Sequence, residues 1–142
     1  MRTSLTTGRA HRRAAMLLAA LTLTVGSTAA EAATAAPQVA AGTCTFDSPI
    51  TARTASAGGV RIELRYSTST RCAWGRITNA NPGDLVWTQR SYDGGRTYEK
   101  LPTVEVRTGH DTHTDSYYDG GVLMRACGWD ESAGASNCTG WY

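Results

Sequence analysis

A strictly alternating segment, VRIELRY at residues 60–66, constrains the fold of this chain most strongly. Apolar and charged residues alternate along it: Val60, Arg61, Ile62, Glu63, Leu64, Arg65 and Tyr66. Successive side chains of a β-strand point to opposite faces, so a period of two predicts a strand with one buried and one solvated face. No segment beyond residue 33 shows the period of an amphipathic helix. The chain is therefore expected to be built from strands.

Glycine- and proline-containing turns divide the rest of the chain into further extended segments. These segments are CAWGRIT at 72–78, LVWTQRS at 85–91, RTYEKL at 96–101, TVEVRT at 103–108 and VLMRAC at 122–127. Gly75, inside the first of them, marks a bulge or a close approach of another backbone. Five to seven short strands with glycine turns predict a small all-β domain, either a β-sandwich or a β-barrel.

The N-terminus has the composition of a secretory signal peptide. Residues 1–13 carry four arginines and no acid, and an apolar run from Ala14 to Val25 follows them. This run is too short to span a bilayer as a helix, and small residues come after it. We predict a signal peptide at residues 1–32, a disordered Ala-rich linker at 33–43 and one β-rich domain at 44–142. The mature protein is then secreted and extracellular, with no membrane span.

Removal of this leader changes the charge of the chain. The full sequence has 14 Lys and Arg against 12 Asp and Glu, and cleavage after Ala32 removes four arginines and one glutamate. The remainder is slightly acidic and contains no basic cluster, so we expect no nucleic-acid partner and no binding to anionic membranes. A mature chain of about 110 residues is the size of one domain, and we expect a monomer.

All four cysteines fall within the predicted mature domain: Cys44, Cys72, Cys127 and Cys138. An even number of cysteines in an exported chain predicts two disulfides, and no pair has the CxxC spacing of a metal site. Three pairings are possible. The short separation favours Cys127 with Cys138, which leaves Cys44 to pair with Cys72. Each bridge is expected to stabilise the fold by about 3 kcal/mol.

The segment SYDGGRTY at 91–98 is close to the Asp-box pattern SxDxGxTW of sialidases and other β-propellers. A propeller needs several blades of some forty residues each, and this chain has a single copy of the pattern. The segment therefore predicts only a hairpin turn, in which Asp93 accepts hydrogen bonds from turn amides.

The segment HDTHTD at 110–115 is the strongest candidate for a metal-binding or catalytic site. A bent loop could bring His110, Asp111, His113 and Asp115 around a zinc ion. In an extended strand, however, His110 and His113 point to opposite faces, and the chain has neither HExxH nor a distal ligand cluster. We expect a polar loop, no metal and no cofactor. A small metal-dependent hydrolase using this loop is kept as an alternative.

The four tryptophans could form a stacking platform for sugars. Trp74 and Trp87 lie within predicted strands, which favours packing in the core. Trp141, next to the C-terminal Tyr142, is the tryptophan that we expect to be exposed.

The stretch GGVRIELRYSTSTRCAWGRITNANPGD at 58–84 resembles the family catalogued as domain of unknown function 2690, also called YjfA-like. The core of that family reads approximately GxxELRYSPTCRAAWARIxxAxPGDxV. The shared residues are Glu63, Leu64, Arg65, Tyr66, Ser67, Arg71, Ala73, Trp74, Arg76, Ile77, Ala80, Pro82, Gly83 and Asp84. Thr70 stands where the family usually has a cysteine, and Cys72 follows two places later. The resemblance implies a secreted or envelope-exposed bacterial domain and brings no catalytic residues.

The sequence is most consistent with an exported domain that binds an extracellular protein or a cell-wall ligand without catalysis. The candidate binding surface lies within the shared motif and consists of Arg65, Tyr66, Trp74 and Arg76. The structural alternative places Trp74 in the core and pairs the arginines with Glu63, Asp84 or a backbone carbonyl. A secreted protease inhibitor that presents the loop between Cys127 and Cys138 is a further alternative.

Overall fold

A computed structural model of the protein describes residues 44–142, so the predicted signal peptide at 1–32 and linker at 33–43 lie outside the described residues. In this part the chain forms ten strands and no helix. The strands are β1 (Pro49–Ala57), β2 (Val60–Ser67), β3 (Cys72–Thr78), β4 (Leu85–Ser91), β5 (Glu99–Lys100), β6 (Val104–Glu105), β7 (Asp111–His113), β8 (Tyr117–Tyr118), β9 (Leu123–Asp130) and β10 (Ala135–Cys138). Within the described range there is accordingly no helix that could cross a bilayer.

The strands form two antiparallel sheets of five strands each. The first sheet has the order β1-β2-β3-β7, with β8 also paired to β3. The second has the order β10-β9-β4-β5, with β6 also paired to β4. The sheets pack face to face as a sandwich and do not close into a barrel, which confirms the all-β class predicted from the alternation and turns.

The core lies between the inner faces of the two sheets. Its fully buried side chains from the first sheet are Ile62, Leu64, Ala73 and Ile77, and those from the second are Val86, Met124 and Ala126. A Cβ at Gly75 would lie 3.2 Å from Val86 Cγ2, and one at Gly128 would lie 2.8 Å from Ile62 Cγ1. The two glycines therefore permit the close approach of the sheets. A close approach was one of the two predictions made for Gly75 from its position within a strand.

Two of the six longer strands carry no sequence signal. The strand β1 is PITARTASA, whose residues are mostly exposed, and β10 is the four-residue segment ASNC. Both lie at an edge of a sheet, and β1 contains a β-bulge between Thr51 and Arg53. Edge strands bury little, so the alternation that marks β2 is not required of them.

Both disulfides lie on the outer faces of the sandwich. Cys44 is bonded to Cys72, and Cys127 to Cys138, with no cysteine left free in the described range. These are the pairs that the sequence separation favoured. The first bridge ties the segment before β1 to β3. The second joins directly opposed residues of β9 and β10.

Candidate functional site

The outer face of the first sheet is charged. Glu63 on β2 lies opposite Arg76 on β3, and Arg65 lies opposite Trp74. Arg61 completes this row, because it is two residues from Glu63 on the same strand. These five residues are called the charged face below, and they include three of the four members of the predicted binding surface.

The three arginines of the charged face share one carboxylate. Glu63 lies 2.9 Å from Arg61 Nε, 3.6 Å from Arg65 Nη1 and 4.0 Å from Arg76 Nη1. Arg76 also pairs with Asp111 on β7 at 2.8 Å. Glu63 is only 8% exposed, so its predicted place on a solvated face is wrong. The arginine side chains cover it, because a buried carboxylate needs cationic partners.

Trp74 is buried on the charged face and not in the core. Its side chain points away from the second sheet, and the ring of Phe46 packs edge-to-face on it at a centroid distance of 5.0 Å. Phe46 in turn contacts His113 at 4.8 Å. The segment that carries Phe46 begins at Cys44, which the disulfide holds to β3. Trp74 is therefore buried, at 4% exposed, but it packs against Phe46 on the outer side of the first sheet and not between the two sheets.

Tyr66, the fourth member of the predicted surface, points to the opposite side of the sheet. Strand alternation separates it from Arg65, and its ring packs on Tyr142 at 5.1 Å. Burial raises the pKa of the Tyr66 hydroxyl, and the charge of Asp119 raises it further. The four residues predicted as a surface are therefore divided between two faces.

Asp84, considered above as an arginine partner, has another role. Its carboxylate is buried and accepts hydrogen bonds from the backbone N–H of Asn81 at 2.7 Å and of Glu131 at 2.9 Å. It thus joins the turn before β4 to the turn after β9. A carboxylate that is occupied by two backbone amides supports loop structure and leaves the arginines to Glu63 and Asp111.

The histidines of the HDTHTD segment are held by different backbone carbonyls. His110 Nδ1 donates to the Ala80 carbonyl and His113 Nδ1 to the Thr114 carbonyl, both at 2.9 Å. Asp111 is paired with Arg76. Across residues 44–142 no three His, Cys, Asp or Glu side chains are grouped as metal ligands. The geometry therefore lends no support to the metal-dependent hydrolase.

The segment between Cys127 and Cys138 is mostly strand. Its exposed residues are the turn at 131–134 and, on β10, Ser136 and Asn137, and the Asp130 carboxylate holds the turn. Asp130 accepts hydrogen bonds from Ser132 Oγ at 2.7 Å and from the Ala133 N–H at 3.0 Å, and these bonds lower its pKa. Only the four turn residues 131–134 lie outside the two paired strands, so the geometry gives the inhibitor no extended free loop.

The outer face of the second sheet is rich in aromatic side chains. We call it the aromatic face, and its members are Leu85, Trp87, Gln89, Tyr98, Lys100, Arg125, Trp129 and Trp141. Trp87 was expected in the core, but it is half-buried here because Val86 and Thr88 occupy the inner side of β4. In LVWTQRS one alternate set contains Leu85 and Trp87 and the other contains Val86, so the period of two did not reveal which set faces inward. Trp141, expected to be exposed, is half-buried.

Arg125 is held between two rings of the aromatic face. Its guanidinium carbon lies 4.9 Å from the centroid of Tyr98 and 4.4 Å from that of Trp141. Its Nε donates to Gln89 Oε1 at 2.7 Å. Among the described residues it makes no ion pair, and its Nη atoms make no hydrogen bond. The forked end of a positioned guanidinium thus has no acceptor from residues 44–142.

Lys100 supplies a second cation to the aromatic face. Its Nζ lies 4.2 Å from the centroid of the Trp87 ring, which is a cation–π contact. Within residues 44–142 no carboxylate lies in ion-pair distance of this amine. Lys100 and Arg125 flank Gln89 in the register of the sheet, one on each neighbouring strand. The centre of the face therefore carries two cations that rest on rings instead of acids.

The Asp-box-like turn forms one end of the aromatic face. As predicted, Asp93 caps the turn, because it accepts hydrogen bonds from the Thr97 N–H at 2.9 Å and from Ser91 Oγ at 2.9 Å. These bonds, that of the Thr97 amide above all, lower the pKa of Asp93 to about 2. Gly95 has a positive φ of 90°, and a Cβ there would lie 2.7 Å from Trp141 Nε1. The turn thus makes room for the Trp141 ring.

A separate open cleft lies between β6 and β7, where the two sheets approach each other. It has a volume of about 570 Å³. Its lining residues are Thr103, Val104, Glu105, Arg107, Thr108, Asp111 and Thr112. Among these described residues there is no histidine or cysteine to pair a nucleophile with a base. The cleft is a polar concavity, and its residue Glu105 pairs with Leu85, four residues along β4 from Gln89, which pairs with Arg125.

Comparison with known proteins connects the chain to one family. A family model described as "Protein of unknown function (DUF2690)" matches residues 31–123. No curated protein and no solved structure matches the chain.

Proposed function

The chain belongs to the DUF2690 family of proteins of unknown function, and on this premise we propose that it is an extracellular domain that binds a cell-wall polymer through the aromatic face, without catalysis. Secretion is part of the proposal. It is supported by the N-terminal composition and by the two disulfides, which are typical of proteins in oxidising compartments.

The observation that carries the proposal is the pair of cations on the aromatic face. Lys100 and Arg125 each contact aromatic rings, and neither has an acidic partner within residues 44–142. Tryptophan, tyrosine and arginine are also the residue types that contribute most of the energy at binding interfaces. On the charged face, by contrast, the arginines already have partners in Glu63 and Asp111.

The shape of the aromatic face favours a polymer over a small molecule. Small-molecule sites are concave and enclose most of their ligand. The aromatic face lies on the outside of a sheet, whereas the 570 Å³ cleft lies elsewhere. A polymer surface can contact a flat array of rings without being enclosed, and the cell wall is the polymer that an exported protein meets first.

The proposal is tested by co-sedimentation with purified, protein-free bacterial cell walls. Tyr98→Ala and Lys100→Ala should each lower the affinity for walls by about five- to tenfold, as expected for removal of a central contact. The matched control is Tyr92→Ala. Tyr92 is 48% exposed and Tyr98 is 54% exposed in the same hairpin, but Tyr92 contacts Arg90 and not the aromatic face.

Three outcomes would overturn the proposal. One is that the wild-type protein stays in the supernatant. A second is that both tyrosine variants sediment like the wild type. The third is that sedimentation requires walls that still carry their proteins, which would assign the surface to a protein partner.

A further inference from the structure

We propose that the ligand of the aromatic face is an acidic polysaccharide, in which a sugar carboxylate binds Arg125 and Lys100 while the sugar rings pack on the neighbouring aromatic rings. This inference rests on the proposed function and adds the chemical class of the ligand. Three observations support it: the contacts that orient the Arg125 guanidinium, the positions of the nearest acidic side chains, and the residue types of the aromatic face.

The Arg125 guanidinium is positioned for a planar anion. Tyr98 and Trp141 contact it, and the bond from Nε to Gln89 Oε1 sets the direction of the group. Its Nη atoms have no acceptor among the described residues. Such a fork matches the two oxygens of a carboxylate, with which arginine forms paired hydrogen bonds. A carboxylate therefore fits the free end of this side chain.

The acids near this centre are already engaged or distant. Glu99 accepts a hydrogen bond from Arg90 Nε at 2.7 Å, and Asp93 is occupied by its own turn. Glu105 lies opposite Leu85, four residues along β4 from Gln89. Four residues of strand span about 13 Å, which exceeds the Debye length of about 8 Å at physiological ionic strength. The positive charges of Lys100 and Arg125, one on each side of Gln89, are accordingly not neutralised by an ion pair within residues 44–142.

The composition of the face favours a sugar over an acidic peptide. Its three tryptophans, Trp87, Trp129 and Trp141, are half-buried, and Tyr98 is 54% exposed. Leu85 is the single aliphatic member of the face as defined above. A peptide side chain gains most from an apolar pocket. A sugar ring instead lays its C–H groups on an aromatic ring and bonds its hydroxyls to polar neighbours, and the exposed Lys100 amine beside Trp87 is such a neighbour.

The test uses polygalacturonate as the probe, beside the same polymer with its carboxyl groups methyl-esterified. Affinity is measured by isothermal titration calorimetry on the intact protein. Esterification should weaken binding at least tenfold, and Arg125→Gln should weaken binding of the acid form by a similar factor, since a charge-assisted pair is lost. Lys100→Gln, at an exposed position, should weaken it less. The matched control is Arg61→Gln on the charged face, which should bind like the wild type.

The outcomes separate this inference from the function on which it rests. Equal binding of the acid and ester polymers, or of polygalacturonate and polyglutamate, overturns the acidic-sugar assignment and leaves the aromatic face as a wall-binding surface. Binding to walls without binding to polygalacturonate does the same. Failure to bind either walls or polysaccharide overturns both. Weaker binding by Lys100→Gln with an unchanged melting temperature supports the assignment even if Arg125→Gln is unstable.

Discussion

The two outer faces of the sandwich contain similar residue types and differ in how their cations are neutralised. Each face has tryptophan, arginine and one disulfide. On the charged face the arginines surround Glu63, whereas on the aromatic face Lys100 and Arg125 rest on rings. The presence of arginine and tryptophan on a face is therefore not enough to predict a binding surface. What distinguishes the two faces is whether the positive charges already have acidic partners.

The two faces also differ in how far other residues cover their tryptophans. On the first sheet, Phe46 and its segment cover Trp74. On the second sheet, Trp87 and Trp129 remain half-buried, although Cys127 and Cys138 lie among them. The outer surface of the first sheet is therefore largely covered, whereas aromatic surface of the second sheet stays partly exposed.

The largest expected effect is loss of the bridge that covers Trp74. The double variant Cys44→Ala/Cys72→Ala should lower the free energy of unfolding by about 3.5 kcal/mol, because the bridge closes a separation of 28 residues. The Cys127→Ala/Cys138→Ala variant should lose slightly less, about 3 kcal/mol, for a separation of 11. Urea unfolding measures both.

The same two variants test whether the Cys44–Cys72 disulfide is needed to keep Phe46 on Trp74. Only the first should increase quenching of Trp74 fluorescence by iodide, because only the first releases Phe46. A variant that retains Trp74 as its sole tryptophan isolates the signal. Unchanged quenching would mean that the cover over Trp74 does not depend on the disulfide.

A second prediction contrasts Glu63 with Asp119, a buried carboxylate that belongs to neither face. Burial raises the pKa of Asp119 from 3.8 to about 6, against the opposing effect of Arg71. The folded protein then holds this proton more tightly than the unfolded chain. Its contribution to stability is greatest below about pH 4, falls as the pH rises towards 6, and stays low at neutral pH.

Asp119→Asn should therefore stabilise the protein at pH 7, by up to about 3 kcal/mol, and remove the decline between pH 4 and 6. Urea unfolding across this range measures the effect. Tyr92→Ala, at an exposed position, should keep the wild-type slope. A less stable Asn variant at pH 7 would show that the Asp119 charge is well paired in the folded state, as that of Glu63 is.

A smaller effect is expected from the shared carboxylate of the charged face. Glu63→Gln leaves three arginines near a neutral group and should lower the free energy of unfolding by about 1–2 kcal/mol, since a buried pair is broken but its arginines are partly solvated. Lys100→Gln on the aromatic face should cost less than about 0.5 kcal/mol, because no ion pair is lost. Equal losses of unfolding free energy in the two variants would contradict the view that only the charged face has ion-paired cations.

The smallest effect concerns the turn beneath Trp141. The pKa of Asp93 is lowered to about 2, so its hydrogen bonds stabilise the folded state above about pH 4 and are lost as the pH falls towards 2. Near-UV circular dichroism of the tryptophans should change over this acid range in the wild type and not in Asp93→Asn. An identical acid transition in both proteins would show that another group controls the Trp141 environment.

Much of the framework follows from local patterns. The strand β2 is evident from its alternation, the capped turn from Ser91, Asp93 and Gly95, and the disulfide pairs from sequence separation. The aromatic face had no comparable signal. Its members come from β4, β5, β9, the Asp-box-like turn and the C-terminus, so no single segment of the sequence contains it.

The sequence by itself determined that the chain forms strands and turns, because side-chain alternation and glycine positions act over a few residues. Only the tertiary structure decided which side of β3 and β4 faces the core. Trp74 and Trp87 both point outward, and one is buried by Phe46 while the other supports Lys100. Burial and charge pairing depend on residues that are distant in the chain, and those partners exist only once the two sheets have assembled.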